Sequence, residues 1–109
     1  MAKALDVKSV SNDIRLVTSR SPKLVNKIGI FGSLARGDYD NDSDIDILIE
    51  YAPTPDFRFD LFAQFCELCN LIAETLTGLY GRKVDIVHFE NDPLNTLSDN
   101  NVVKEVLWL

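Results

Sequence analysis

Cysteine is scarce in this 109-residue chain: only Cys66 and Cys69 occur, with a single histidine, His88. That inventory excludes a disulfide framework and leaves a Cys/His zinc site without enough ligands. The two cysteines form a Cys-x-x-Cys in the middle of a helical pattern. A thioredoxin-like redox motif sits instead at a helix start just after a strand, so these read as buried or half-exposed thiols. Also missing is any run of about eighteen apolar residues that could span a bilayer. The opening MAKALDVKSV lacks the apolar core of a secretory signal, and the expected location is the cytoplasm. There is no internal repeat, low-complexity tract or linker, and residues 1–109 are read as one domain. A domain of this length buries enough surface to be stable without disulfides or a structural metal.

A basic face is missing too. Hydrophobic residues make up 46% and charged residues 26%, with a net charge of −6. The charge is unevenly placed. Residues 1–37 carry seven Lys or Arg against two Asp, whereas residues 38–60 carry eight Asp or Glu against Arg58 alone. An acidic centre of this kind holds cations and disfavours large nucleic acids as partners, while leaving room for a small nucleotide with its bound magnesium.

The pattern of what is present predicts alternating helices and strands. Val7, Val10, Ile14 and Val17 have helical spacing, giving a first helix near residues 3–19 that Ser21-Pro22 stops. Lys27 to Phe31 reads as a short buried strand running into Gly32-Ser33, and residues 44–50 as a second strand in which Ile45, Ile47 and Ile49 alternate with Asp44, Asp46 and Leu48. The longest helix is predicted from Phe57 to Thr77, with Gly78 placed to end it. Arg82 to Phe89 returns to alternation as a third strand, Asn91-Asp92-Pro93 breaks it, and a closing helix is expected from about Leu94 to Val106. The order indicates an α+β fold, a small mixed β-sheet with helices packed mainly on one face.

The chemistry concentrates in Gly32-Ser33-Leu34-Ala35-Arg36-Gly37, the Asp44-Ile45-Asp46 pair and a later acid, Asp85. A glycine ending a strand lets the backbone approach a ligand, and a helix starting at Ser33 would aim unpaired N–H groups and its positive dipole end at a phosphate. Ser33 can add a hydroxyl donor and Arg36 a fixed positive charge. Two aspartates one residue apart on a strand project side by side, and their hard oxygens suit magnesium, which takes further ligands from substrate phosphates. If the third strand lies beside the second, Asp85 completes a two-metal site and is the natural proton acceptor for an attacking hydroxyl.

Each piece also has a plainer reading. Gly-Ser after a strand is common in turns. Asp-x-Asp is often a solvated face. Asp40, Asp42 and Asp44 alternate as in a calcium loop, but the required glycine and the final glutamate are missing. Arg36 can be a surface partner of Asp38 or Asp40, and His88 an ordinary strand residue.

Taken jointly, the run GSLARGDYDNDSDIDILIE resembles the signature of the minimal nucleotidyltransferases, small relatives of DNA polymerase beta and of the aminoglycoside-modifying nucleotidyltransferases. GRKVDIVHF resembles the family segment that bears the third aspartate, and the likeness covers about residues 25–109. The resemblance implies the nucleotidyltransferase fold, with Gly32 and Ser33 holding the triphosphate of ATP, Asp44 and Asp46 binding two magnesium ions, and Asp85 completing the acidic triad. It also implies a partner. Minimal members are commonly paired with helical HEPN proteins in toxin–antitoxin systems, act there as antitoxins, and in some pairs transfer AMP from ATP to a tyrosine of the toxin. The expected function is therefore magnesium-dependent AMP transfer to a hydroxyl of such a partner. The alternatives are a binding antitoxin that neutralises by occlusion, and nucleotidyl transfer to a small molecule or RNA. A chain of this length has no room for an acceptor-binding domain. The basic N-terminal segment and the apolar tail Val106-Leu107-Trp108-Leu109 are candidate contact surfaces, although core packing explains the tail equally well.

Overall fold

The computed structural model describes residues 2–21, 23–52, 58–89 and 106–109. Asp6 sets the start of the first helix. Its carboxylate accepts the Lys8 backbone N–H at 3.1 Å, satisfying a donor that the first helical turn cannot. Helix α1 therefore spans Val7–Thr18 and not the earlier start at residue 3. Strand β1 (Val25–Phe31) passes without a break into the short helix α2 (Gly32–Arg36), which ends at Gly37 in the left-handed region. Strand β2 (Ile45–Tyr51), helix α3 (Phe59–Tyr80), strand β3 (Val84–Phe89) and strand β4 (Leu107–Trp108) follow.

Two boundaries differ from the sequence pattern for identifiable reasons. Gly78 lies inside α3, and Gly81 (φ +64°) is the residue that ends it, its N–H bonding to the Thr77 carbonyl at 2.9 Å. An interior glycine costs only about 1 kcal/mol. Leu76 and Tyr80, one turn apart and both buried, carry the helix past it. The expected closing helix lies outside the described residues except at Val106, which is in neither helix nor strand. The apolar tail that follows is instead β4, paired antiparallel to β1 with Gly29 opposite Trp108 and Ile30 opposite Leu107.

The sheet order is β3-β2-β1-β4. β1 and β2 are antiparallel and β2 and β3 parallel, so α3 serves as the crossover that a parallel pair requires. Ile45, Ile47 and Ile49 of β2 are completely buried, packed into one core with Val10, Ile14 and Val17 of α1 and Phe65, Leu68, Ile72, Leu76 and Tyr80 of α3. At about 1.5–3 kcal/mol for each large apolar side chain buried, this face fixes the register of β2. A polar clasp joins the two helices. The Tyr80 hydroxyl donates to Asp13 at 2.6 Å and accepts from Ser9 at 2.6 Å, while Lys3 pairs with Asp13 at 3.0 Å. Among the described residues no helix is long and apolar enough to cross a membrane.

Candidate active site

The register that buries the three isoleucines also determines where the acids go. In β2 the side chains alternate, so Asp46 is on the face opposite Ile45 and Ile47. Parallel pairing sets Asp46 directly beside Asp85 of β3, and antiparallel pairing sets Phe31, the last residue of β1, on its other side. Asp44 is one residue ahead of β2, at the strand's entrance. The sheet thus brings Asp46 and Asp85 together on neighbouring strands, the condition on which the two-metal reading rested, with Asp44 at the adjoining loop and the Gly32-Ser33 turn next in line after Phe31.

Gly32 has two reasons to be glycine. Its φ is +72°, a region that side chains rarely enter. A β-carbon there would also overlap Asp46 Oδ2 and lie 3.1 Å from its carboxyl carbon. The turn and the acid are in direct contact. The helix that follows has only five residues, so its macrodipole is small, and what α2 offers an anion is the free N–H groups of its first turn. Those of Gly37 and Asp38 are taken, both donating to the Ser33 carbonyl.

Burial first, and then the charges of Asp85 and Asp44, push the Asp46 carboxyl above the usual aspartate range, with Arg36 and Lys83 offsetting part of the rise. A divalent cation would relieve the repulsion that Asp85 and Asp44 exert on Asp46. Among the described residues no three His, Cys, Asp or Glu donors close around a common point. Magnesium is held by one or two carboxylates together with substrate phosphates and needs no closed protein cage. Asp44, Asp46 and Asp85 fit that ion by charge and by hard oxygen chemistry.

The plainer readings separate here. Arg36 does pair with Asp38, at 3.2 Å, but both side chains are exposed and such a pair contributes about 0–1 kcal/mol, while its charge also acts on Asp46. Asp40 is engaged within its own loop. Its Oδ1 accepts the Asp42 N–H at 2.9 Å and the Ser43 hydroxyl at 3.1 Å, the loop leads into a strand instead of a second helix, and the Asp42 contact is the largest influence holding Asp40 below its usual range. His88 is three residues from Asp85 and hence on the helix-facing side, where its ring meets Phe65 edge-on at 5.9 Å. Cys69 is half-buried, and burial pushes its thiol up to about 11, far from the thiolate a redox role needs.

One residue at the site carried no sequence signal. Arg82 precedes β3 and donates through Nη1 to the backbone carbonyls of Asp40 at 2.7 Å and Ser43 at 2.8 Å. Nothing in an arginine between a glycine turn and a strand says that it clasps a loop some forty positions earlier.

Known proteins resemble this chain. A Thermococcus cleftensis protein named protein adenylyltransferase MntA is 34% identical over 85 residues, covering 78% of this chain and 75% of that protein. A Methanocaldococcus jannaschii protein, provisionally named a protein adenylyltransferase, is 44% identical over 63 residues, 58% of this chain. The match spans only about half of that relative's length, 55%. A chain in a crystal structure of a mutant toxin–antitoxin MntA-HpeT superposes with a TM-score of 0.56 at 25% identity, covering 91% of this chain and 70% of that one. Residues 13–109 match the family model described as Nucleotidyltransferase domain. With its glycine turn against Asp46 and Asp85 in register beside it, this chain belongs to the nucleotidyltransferase domain family.

Proposed function

We propose that this chain is a single-domain, cytoplasmic protein adenylyltransferase that uses ATP and magnesium to place AMP on a hydroxyl of a protein partner, as the antitoxin of a toxin–antitoxin pair. The observation that carries the reading is the register that sets Asp46 beside Asp85, with Gly32 packed on Asp46. The names of the relatives support protein as acceptor, and the toxin–antitoxin neighbour supports a toxin as that protein. A helical HEPN toxin and a tyrosine acceptor are the finer form of the proposal.

In the reaction the acceptor oxygen bonds to the α-phosphorus of ATP, the bond to the bridging oxygen breaks, and pyrophosphate leaves. The free N–H groups of Gly32 and Ser33, with the Ser33 hydroxyl, orient the phosphates, and Arg36 adds positive charge near the leaving group. Asp85, half-exposed and weakly paired with Lys83 at 3.6 Å, takes the proton from the attacking hydroxyl. Asp44, Asp46 and Asp85 would hold magnesium, which supplies charge neutralisation for the phosphates and lowers the pKa of the attacking hydroxyl when bound.

The test is mass spectrometry of a partner captured by pull-down, after incubation with this protein, magnesium and ATP, beside the Asp44→Asn/Asp46→Asn variant. An AMP added to the partner by the wild type and not by the variant is expected. A tight complex with no nucleotide added would instead make the chain an antitoxin that acts by occlusion. Nucleotide appearing on RNA or a small molecule would redirect the acceptor.

A further inference from the structure

Asp44 is the one acid of the three that no strand holds, since β2 begins at Ile45. It follows a loop crowded with like charge, Asp38, Asp40 and Asp42, which repel one another and favour an expanded loop. Yet both peptide groups that flank Asp44 are fixed. The carbonyl before it, that of Ser43, accepts one N–H of Arg82 Nη1 at 2.8 Å, and the other N–H of the same nitrogen goes to the Asp40 carbonyl at 2.7 Å. The amide after it, that of Ile45, donates to the Lys83 carbonyl at 3.0 Å. Arg82 and Lys83 are consecutive and lead into the strand that carries Asp85. The same short segment therefore grips Asp44 from both sides and supplies the third acid.

We propose that Arg82 is a positioning residue, which sets Asp44 against Asp46 and Asp85 by clamping the carbonyls of Asp40 and Ser43. A guanidinium suits this task because one planar nitrogen presents two divergent N–H groups at fixed angle and never loses its charge. Its contribution acts on the metal-nucleotide through Asp44, without direct contact. The inference rests on the reading of Asp44 as a metal ligand, and its test separates the two.

Manganese, a paramagnetic stand-in for magnesium, is titrated in the presence of a non-hydrolysable ATP analogue into the full chain and into Arg82→Met, Arg82→Lys, Asp44→Asn and Arg82→Met/Asp44→Asn, with free ion read by electron paramagnetic resonance. Loss of an outer-shell partner costs about tenfold or more in metal affinity. Arg82→Met is expected to show at least that loss and Arg82→Lys to recover part of it, because an ammonium can still donate to one carbonyl. In the Asp44→Asn background the arginine change should add nothing, since a group that works through Asp44 has nothing left to position. Should the losses simply multiply, or should Arg82→Met bind manganese as wild type does, the positioning role is overturned while the site stands. Unchanged manganese binding in Asp44→Asn would overturn the site reading itself, and this inference with it. Arg82→Lys, taken through the same cycle, decides the question if Arg82→Met does not fold.

Discussion

A β-carbon at Gly32 would occupy the space of Asp46 Oδ2, and the φ of +72° at that position already disfavours any side chain, so one substitution there carries two penalties. Gly32→Ala is expected to destabilise the protein by about 1–3 kcal/mol in urea denaturation through backbone strain. It should also weaken manganese binding, because Asp46 must move to make room. Asp46 itself lends a signed test. Its folded-state carboxyl titrates above the unfolded one, so it favours the fold fully below the unfolded aspartate pKa of about 3.9, and that contribution is lost as the pH rises through the folded value. In chelator at pH 7, Asp46→Asn should accordingly melt above wild type, the gap closing as the pH falls towards about 4. A variant that melts lower than wild type at pH 7 contradicts the crowded-carboxylate picture. These acids were legible in the sequence because a strand's period of two and a glycine turn are local signals. The contact between Gly32 and Asp46 was not, since it depends on how β1 and β2 register, and neither was Arg82, whose partners are backbone carbonyls that any residue type supplies.

At the scale of elements, α3 shows where local signals mislead. Glycine after an apolar helical run is a stop signal, and Gly78 satisfied it, yet the helix runs on to Tyr80 because Leu76 and Tyr80 are buried in the core, the Tyr80 hydroxyl bonding to Ser9 and Asp13 of α1. Tertiary packing outweighed a propensity cost of about 1 kcal/mol. The two glycines should then respond oppositely to alanine. Gly78 has no atom within 4 Å of an added β-carbon, so Gly78→Ala is expected to stabilise by about 0.5–1 kcal/mol. Gly81 has room as well, with the nearest atom at 3.5 Å, but its φ of +64° makes Gly81→Ala destabilising by about 1 kcal/mol. Chemical denaturation of the pair checks both signs, and an equal response would mean that the helix ends elsewhere. The strands were more legible, each within two residues of its pattern, except β4. Two residues make too short a run for any period to show, and its place depends wholly on the edge that β1 presents.

For the molecule as a whole, β4 matters because it joins the end of the described chain to a strand near its beginning, on the side of the sheet away from the acids. The order β3-β2-β1-β4 places Asp85 and Asp46 on the first two strands and the tail on the last, with β1 between. Gly29 is where the tail packs closest on β1. An added β-carbon would overlap the Val106 side chain and approach Trp108 Cε3 to 3.0 Å and the Leu107 carbonyl oxygen to 3.1 Å. Lys27 Nζ stands 5.6 Å from the centre of the Trp108 ring, which stays 43% exposed, so the tail both packs on the sheet and shows an aromatic surface outward. Trp108 is the sole tryptophan and reports this junction without interference. Gly29→Ala is expected to cost about 1–3 kcal/mol by overpacking and to shift tryptophan emission to the red as β4 lifts from β1. Manganese binding at Asp44, Asp46 and Asp85 should persist within a few-fold, because the strands that carry the acids keep their own pairing and their own isoleucine core. A variant that loses metal binding together with the tryptophan shift would show instead that the tail and the acids form one cooperative unit, with β1 transmitting the distortion from Gly29 through Phe31 to Gly32.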